Sequence, residues 1–368
     1  MATVAVELGD RSYDVQVGKG LLAGLGAFIR QCAPKATQAV VIADSTVAGL
    51  YGRAACDAIA AQDLPATLLQ FPAGESNKTL ATFGQLMDQL LRLAPPIDRR
   101  CVIVALGGGV TGDISGFVAA TALRGLQWLQ CPTTLLAAVD ASVGGKTAVD
   151  HPAGKSLIGA FHQPRGVLID VRTFASLPPA QLSNGLAECV KHGVIRDAGL
   201  LDFIEDNLQA IVARDEDVLV ELVRRNVEIK AAVVSADERE AGERAHLNLG
   251  HTVGHAIETL VGYDRIGHGD AVSLGMVAAC RMAVRRGLLE DEAAGRVRDL
   301  LKALGLPVKF ADLAAGAAPA PRAIWQLMQH DKKAIDGQVR MVLPTTLGSA
   351  AVFDDITEEQ VAAAVLGL

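Results

Sequence analysis

The chain has 368 residues, 50% of them hydrophobic and 20% charged, so it can bury a large core and is expected to divide into about two domains; disordered and fibrous classes are excluded. Its formal charge of −7, from 41 acidic against 34 basic residues, argues against a broad nucleic-acid or membrane-binding surface and leaves any anion site to a local basic cluster. At 4% of the chain, aromatic residues are too few for a base-stacking or sugar-stacking platform.

Val4, Val6 and Leu8, then Tyr13, Val15 and Val17, alternate with other residues around Gly9-Asp10, which predicts a β-hairpin and not a signal peptide. A strand over 39–43 leads into a helical stretch to about 61, a strand over 67–71 into a helix over 79–93, and a strand over 101–106 into a helix over 110–123. Further strands are expected over 126–130 and 167–170. This alternation predicts an α/β N-terminal domain with a mostly parallel, Rossmann-like sheet. Leu177-Pro178-Pro179 breaks the pattern. Beyond it, 217–235, 247–261, 271–286 and 293–304 carry helical periodicity, with a late strand over 339–343. The expected division is therefore 1–178, an α/β domain, and 179–368, a mainly α-helical C-terminal domain. The six cysteines form no C-x-x-C pair and no apolar window is long enough to span a bilayer, so buried thiols in the cytoplasm are expected.

Three segments carry residues suited to chemistry. The strand over 101–106 runs into Gly107-Gly108-Gly109-Val110-Thr111-Gly112-Asp113, in which Gly107, Gly109 and Gly112 satisfy G-x-G-x-x-G. Bare amides at a helix N-terminus can approach a pyrophosphate closely, although a tightly packed turn uses glycine for the same reason. The acid usually found about 20 residues on is missing, and Asp44 and Glu75, at neighbouring strand ends, are the substitutes for binding ribose hydroxyls. The second segment, 140–155, reads as a glycine-flexed ligand loop holding Asp140, Lys146, His151 and Lys155; Asp140 stands where a P-loop needs its first glycine, which excludes a nucleotide triphosphatase. In the third, His251 and His255 lie one helical turn apart, and a third metal donor is available from His268 or from Glu188, which pairs with Lys191 at i and i+3. Lys146, Lys155, Lys191, Arg244 and Lys332-Lys333 form a sparse basic set that would attract a phosphorylated or carboxylated small molecule if it converges.

Together these segments resemble the 3-dehydroquinate synthases, within the wider sugar phosphate cyclases. The resemblance runs from the triple-glycine turn through Pro132-Thr133-Thr134, Val139-Asp140-Ala141-Ser142-Val143-Gly144-Gly145-Lys146-Thr147 and His151-Pro152 with Gly154-Lys155. It continues through Gly185-Leu186-Ala187-Glu188, Asn248-Leu249-Gly250-His251-Thr252-Val253-Gly254-His255, His268-Gly269, Asp331-Lys332-Lys333 and Leu343-Pro344, and so spans nearly the whole chain.

The resemblance implies an N-terminal domain that binds NAD and a helical domain that binds a divalent metal, usually zinc, with cobalt as an alternative. It assigns Glu188, His251 and His268 to the metal and turns His255 toward the substrate. Asp140, Lys146, Lys191, Arg244, Asn248 and one of Lys332 or Lys333 would surround a sugar-acid phosphate, with Arg124 reaching the neighbouring subunit of a homodimer. Asp44, Glu75, Lys78, Gly108, Gly109, Asp113, Thr133, Thr134, Lys155 and Ser176 match the NAD positions, Ser176 replacing the threonine of some members. The implied reaction is the shikimate-pathway conversion of 3-deoxy-D-arabino-heptulosonate 7-phosphate to 3-dehydroquinate and phosphate, a lyase step with transient NAD reduction. Rival readings are a cyclase forming an inosose or valiolone, a metal-dependent polyol or glycerol-phosphate dehydrogenase that releases NADH, and a non-catalytic sugar-phosphate sensor. On this assignment His251→Ala abolishes turnover and metal retention, whereas His255→Ala mainly slows turnover. Equal metal loss in the two variants, read by elemental analysis, contradicts it.

Overall fold

The computed structural model describes residues 1–240, 242–262, 265–313, 318–329 and 339–368. The N-terminal alternation forms the expected hairpin: β1 (Ala2–Val6) pairs antiparallel with β2 (Tyr13–Gly18), setting Val4 opposite Val15 and Val6 opposite Tyr13. The later apolar runs become β3 (Ala39–Asp44), β4 (Ala66–Phe71), β5 (Val102–Gly107) and β6 (Gln127–Pro132), then, after the short strands β7 (Lys146–His151) and β8 (Gly154–Phe161), β9 (Gly166–Asp170).

Seven strands form one sheet in the order β1-β2-β9-β6-β5-β3-β4, parallel except at the β1–β2 edge. Successive residues serve opposite faces, as the strand repeat demands. Val41, Ala43, Val104 and Leu106 pack with Phe28 and Ile29 of helix Leu25–Cys32 and with Ala55 and Ile59 of helix Arg53–Ala60. Val40, Ile42, Ile103 and Ala105 pack on the other side with Leu86 and Leu90 of helix Leu80–Leu91 and with Ile114 and Val118 of helix Gly109–Thr121. Chain order reverses at β3, with β4 on one side and β5 on the other. The carboxyl ends of β3 and β5 therefore flank a topological switch point, where open α/β sheets bind ligands.

The segment 140–155 differs from its expected loop. Most of it folds into the antiparallel hairpin β7–β8, with Thr147 and Val149 buried. Its strands carry no regular two-residue alternation, with Thr147, Ala148 and Val149 buried in succession, and they are bounded by glycines, which hid it in the sequence. Gly144 and Gly145 take φ values of +106° and +63°, a turn that glycine makes without a Cβ clash, and the Gly144 N–H donates to the Tyr13 hydroxyl at 3.1 Å.

The first break falls between Leu177 and Pro178, one residue from the expected boundary, but the chain later returns to its first unit. The first compact unit is Met1–Leu177 together with Leu219–Glu238, and the second is Pro178–Val218 with Arg239–Leu368. Side chains explain the return. On helix Glu216–Ala236 the Ser235 hydroxyl accepts from the Glu7 N–H at 3.0 Å, and Lys230 Nζ lies 2.5 Å from Asp140 Oδ1; just beyond the helix, Glu238 pairs with Arg11 at 2.7 Å.

The second unit includes helices Pro179–Arg196, His251–Val261, His268–Arg285, Asp291–Ala303, Pro321–Gln329 and Glu358–Val365, and a hairpin of β10 (Met341–Thr346) with β11 (Ser349–Phe353). Helix His268–Arg285 begins three residues before the periodic segment predicted from 271. It packs backbone to backbone on its neighbours: a Cβ on Gly275 would stand 1.9 Å from the Gly250 carbonyl oxygen, and one on Gly269 would stand 2.4 Å from that of Asn184. Among the described residues, no helix is long and apolar enough to cross a membrane.

Gly275→Ala is therefore expected to destabilise the protein by about 1–3 kcal/mol, because backbone must move to admit the methyl. Gly84→Ala, on helix Leu80–Leu91 with nothing near its added Cβ, should instead stabilise by roughly 0.4–1 kcal/mol. Urea transitions of the two variants check the contrast.

Candidate active site

In the first unit the carboxyl ends of the strands collect the residues singled out for a nucleotide. Asp44 ends β3 and caps the next turn, accepting from the Thr46 and Val47 N–H groups at 2.9 and 3.1 Å through one oxygen. Its other oxygen accepts from the Thr111 hydroxyl at 3.4 Å. Glu75 follows β4 in a short turn, and Lys155, on β8, reaches it at 3.3 Å. Gly108 and Gly109 lead from β5 into helix Gly109–Thr121, and Thr133 and Thr134 follow β6. Ser176 ends the turn after β9, where its hydroxyl accepts from Tyr51 at 2.8 Å.

The glycines of the β5 turn are not equivalent. A Cβ on Gly107 would collide with Thr111 at 2.4 Å, so packing alone requires that glycine. One on Gly109 would meet only Ala141, at an ordinary 3.5 Å, so the fold itself does not demand glycine there. A bare backbone at the start of a 13-residue helix suits an anion that approaches closely. The Thr133 hydroxyl is buried and has no hydrogen-bond partner among the described residues, an unusual state for a polar group beside a sheet's carboxyl end. Both features fit a dinucleotide.

Lys78 is buried with its Nζ 2.5 Å from Asp113 Oδ2 and donating to the Ser156 hydroxyl at 3.1 Å. Burial pulls the ammonium pKa down, but Asp113, Glu75 and Asp150 outweigh it and leave the value above its ordinary one. Asp140 and Lys146 lie in the same unit, Asp140 against Lys230 and Lys146 exposed at the start of β7. Lys230 has no motif around it; only the tertiary fold reveals it. Arg124 is exposed, and it and Leu123 have φ values of +66° and +49°, which costs non-glycine residues roughly 1–2 kcal/mol each.

The second unit gathers the metal candidates. Glu188 and Lys191 form a buried ion pair one turn apart on helix Pro179–Arg196. Glu188 Oε1 lies 3.5 Å from His251 Nε2 and 3.6 Å from His268 Nε2, and one donor atom from each of the three falls within 4.8 Å of the others. Donors about 2.1 Å from a tetrahedral ion stand about 3.4 Å apart, so Glu188 Oε1 already stands at coordination-shell spacing from both imidazoles. Asn184 helps set it, donating to the Ala180 carbonyl at 2.7 Å and accepting from the Gly269 N–H at 2.6 Å beside His268.

His251 Nδ1 lies 3.0 Å from the Leu249 carbonyl, which can only accept, so the ring's Nε2 is left as the metal donor. Burial, helped by Lys191 and the neighbouring imidazoles against the pull of Glu188, holds the His251 pKa well below its ordinary value. At His268 burial acts in the same direction, but Glu188 and Glu258 overcome it and raise the pKa to about 10. His255 is half-buried, with ring centroids 5.5 Å from His251 and 6.3 Å from His268. Arg244 is buried with Nε 3.6 Å from Glu240, and Asn248 closes its turn just before His251. Lys332 and Lys333 lie outside the described residues. Glu258, three residues after His255 and seven after His251, shares their helix face; that spacing was the available signal for it.

A family profile described as 3-dehydroquinate synthase N-terminal matches residues 68–184, and one described as 3-dehydroquinate synthase C-terminal matches 185–334. A 3-dehydroquinate synthase of Geobacter metallireducens is 46% identical over 352 residues, covering 96% of this chain and 95% of its own. One of Desulforamulus reducens is 42% identical over 363 residues, covering 99% of each. Among solved structures, a 2-epi-5-epi-valiolone synthase of Streptomyces hygroscopicus with NAD+ and Zn2+ bound matches with a TM-score of 0.87 at 30% identity, covering 100% of this chain and 98% of that one. A 2-deoxy-scyllo-inosose synthase complexed with carbaglucose-6-phosphate, NAD+ and Co2+ matches at 0.89 and 29%, covering 100% of both.

Proposed function

The chain belongs to the 3-dehydroquinate synthase family, and from that membership we propose that it converts 3-deoxy-D-arabino-heptulosonate 7-phosphate to 3-dehydroquinate and phosphate, using NAD and a divalent metal. The course is transient oxidation, phosphate elimination, re-reduction, ring opening and intramolecular aldol closure. The observation that carries the reading is the meeting of Glu188, His251 and His268 around one point in a chain of this family. Two imidazoles and one carboxylate leave coordination positions open, as a catalytic zinc requires and a four-ligand structural zinc does not. When bound, the cation acidifies the hydroxyl that is oxidised, and NAD accepts and returns the hydride.

This chain's residues do the rest. Gly108, Gly109 and the helix N-terminus hold the pyrophosphate, and Thr133 and Thr134 lend hydroxyls beside it. Asp44 and Glu75 accept from ribose hydroxyls, while Lys78, Asp113, Lys155 and Ser176 complete the nucleotide's surroundings. Lys146, Lys191 and Arg244 bind the substrate's phosphate and carboxylate and stabilise the charge that grows as phosphate leaves. Asp140 and Asn248 orient its hydroxyls; one of Lys332 and Lys333 adds a further cation. His255, one turn from His251 on the same helix, moves a proton between substrate and solvent. The protein works as a cytoplasmic homodimer in which Arg124 serves the neighbouring subunit's phosphate site.

The 46% and 42% identity to 3-dehydroquinate synthases over nearly the whole chain favours this substrate. With catalytic NAD, Zn2+ and the heptulosonate phosphate, phosphate release without net NADH is expected; a heptose 7-phosphate run beside it should release none. Stoichiometric NADH would make the protein a dehydrogenase instead. Gly109→Ala should leave the thermal transition nearly unchanged yet weaken NAD binding about ten-fold or more, read by nicotinamide fluorescence titration.

A further inference from the structure

His268 has a carboxylate at each ring nitrogen: Glu188 Oε1 at 3.6 Å from Nε2 and Glu258 Oε1 at 3.4 Å from Nδ1. The two nitrogens of an imidazole point to different sides of the ring, so an ion shared through Nε2 with Glu188 and His251 leaves Glu258 behind the ring. Glu258 is only 2% exposed, on helix His251–Val261, whereas His268 opens the following helix. A carboxylate buried this deeply is costly unless a donor or positive charge faces it. His251 has a matching arrangement, its Nδ1 facing the Leu249 carbonyl at 3.0 Å. Each imidazole is thus held from behind by an acceptor, a backbone carbonyl for His251 and a carboxylate for His268.

We propose that Glu258 is a positioning residue that accepts the His268 Nδ1–H, fixes the ring's tautomer and angle, and presents Nε2 to the cation. The inference rests on the cation site under the proposed function. It sets Glu258 apart from the donors themselves, even though His255, Glu258 and His268 also have ligand atoms within 4.8 Å of one another. The ordered carboxylate strengthens the imidazole as a donor and removes the need to orient the ring as the ion arrives.

The test uses full-length protein stripped of metal, with Zn2+ affinity measured by chelator competition and the Co2+ visible spectrum recorded on the same samples. Glu258→Ala should weaken Zn2+ binding by about 10–100-fold and alter the Co2+ bands. Glu258→Gln, which keeps shape and an accepting oxygen, should fall between Ala and the parent and guards against loss through misfolding. Glu188→Ala provides the reference for a lost ligand. Should Glu258→Ala bind Zn2+ with parental affinity and spectrum while Glu188→Ala does not, the positioning role is overturned. A loss at Glu258→Ala as complete as at Glu188→Ala also overturns it, by making Glu258 a ligand. Undiminished binding by Glu188→Ala would instead refute the three-donor site, whatever Glu258 does.

Discussion

A carboxylate with no solvent exposure, placed in the middle of a helix, is the constraint around which the second unit is arranged. Glu188 is that group. An isolated buried charge of this kind costs on the order of several kcal/mol, so positive or proton-bearing partners have to converge on it. Lys191 supplies one from the same helix, and His251 and His268 supply two more from helices distant in sequence. Those helices come close enough only because glycine stands at their contacts, at Gly275 against Gly250 and at Gly269 against Asn184. The packing of small residues and the chemistry of the donor cluster are therefore one problem with one solution.

The first unit solves a different problem, that of offering polar backbone at the end of a wholly buried strand. β5 has no exposed residue, and its last glycine turns directly into a helix whose first amides need partners. Thr133 adds a buried hydroxyl at the next strand end, and the Lys78–Asp113 pair braces the turn that follows β4 against helix Gly109–Thr121 and the β7–β8 hairpin. Polar groups gathered at a switch point are what a charged, elongated ligand requires.

Much of this was legible in the sequence because it rests on local rules. The β1–β2 hairpin, the parallel strands and their crossover helices follow from period-two and period-3.6 patterns over short windows. The imidazoles announced themselves by helical spacing and the β5 turn by its glycines. What could not be read is what depends on partners far away in the chain. Lys230 is an unremarked lysine in a long helix until it meets Asp140, and Asn184 acquires its job only when helix His268–Arg285 arrives. The β7–β8 hairpin was illegible because its strands lack a two-residue alternation and are flanked by glycine, so tertiary support, not propensity, makes it a strand pair.

The return of Leu219–Glu238 to the first unit bears on how the chain is made. An emerging polypeptide has synthesised all seven strands of the main sheet by Asp170, yet the ammonium that neutralises Asp140 arrives only with residue 230 and the clasp to Arg11 only with residue 238. Vectorial synthesis must therefore hold a nearly finished sheet unsealed while forty-odd residues of the next unit leave the ribosome. A protein cut at the Pro178-Pro179 break would therefore leave the first unit without Leu219–Glu238, the segment that closes it.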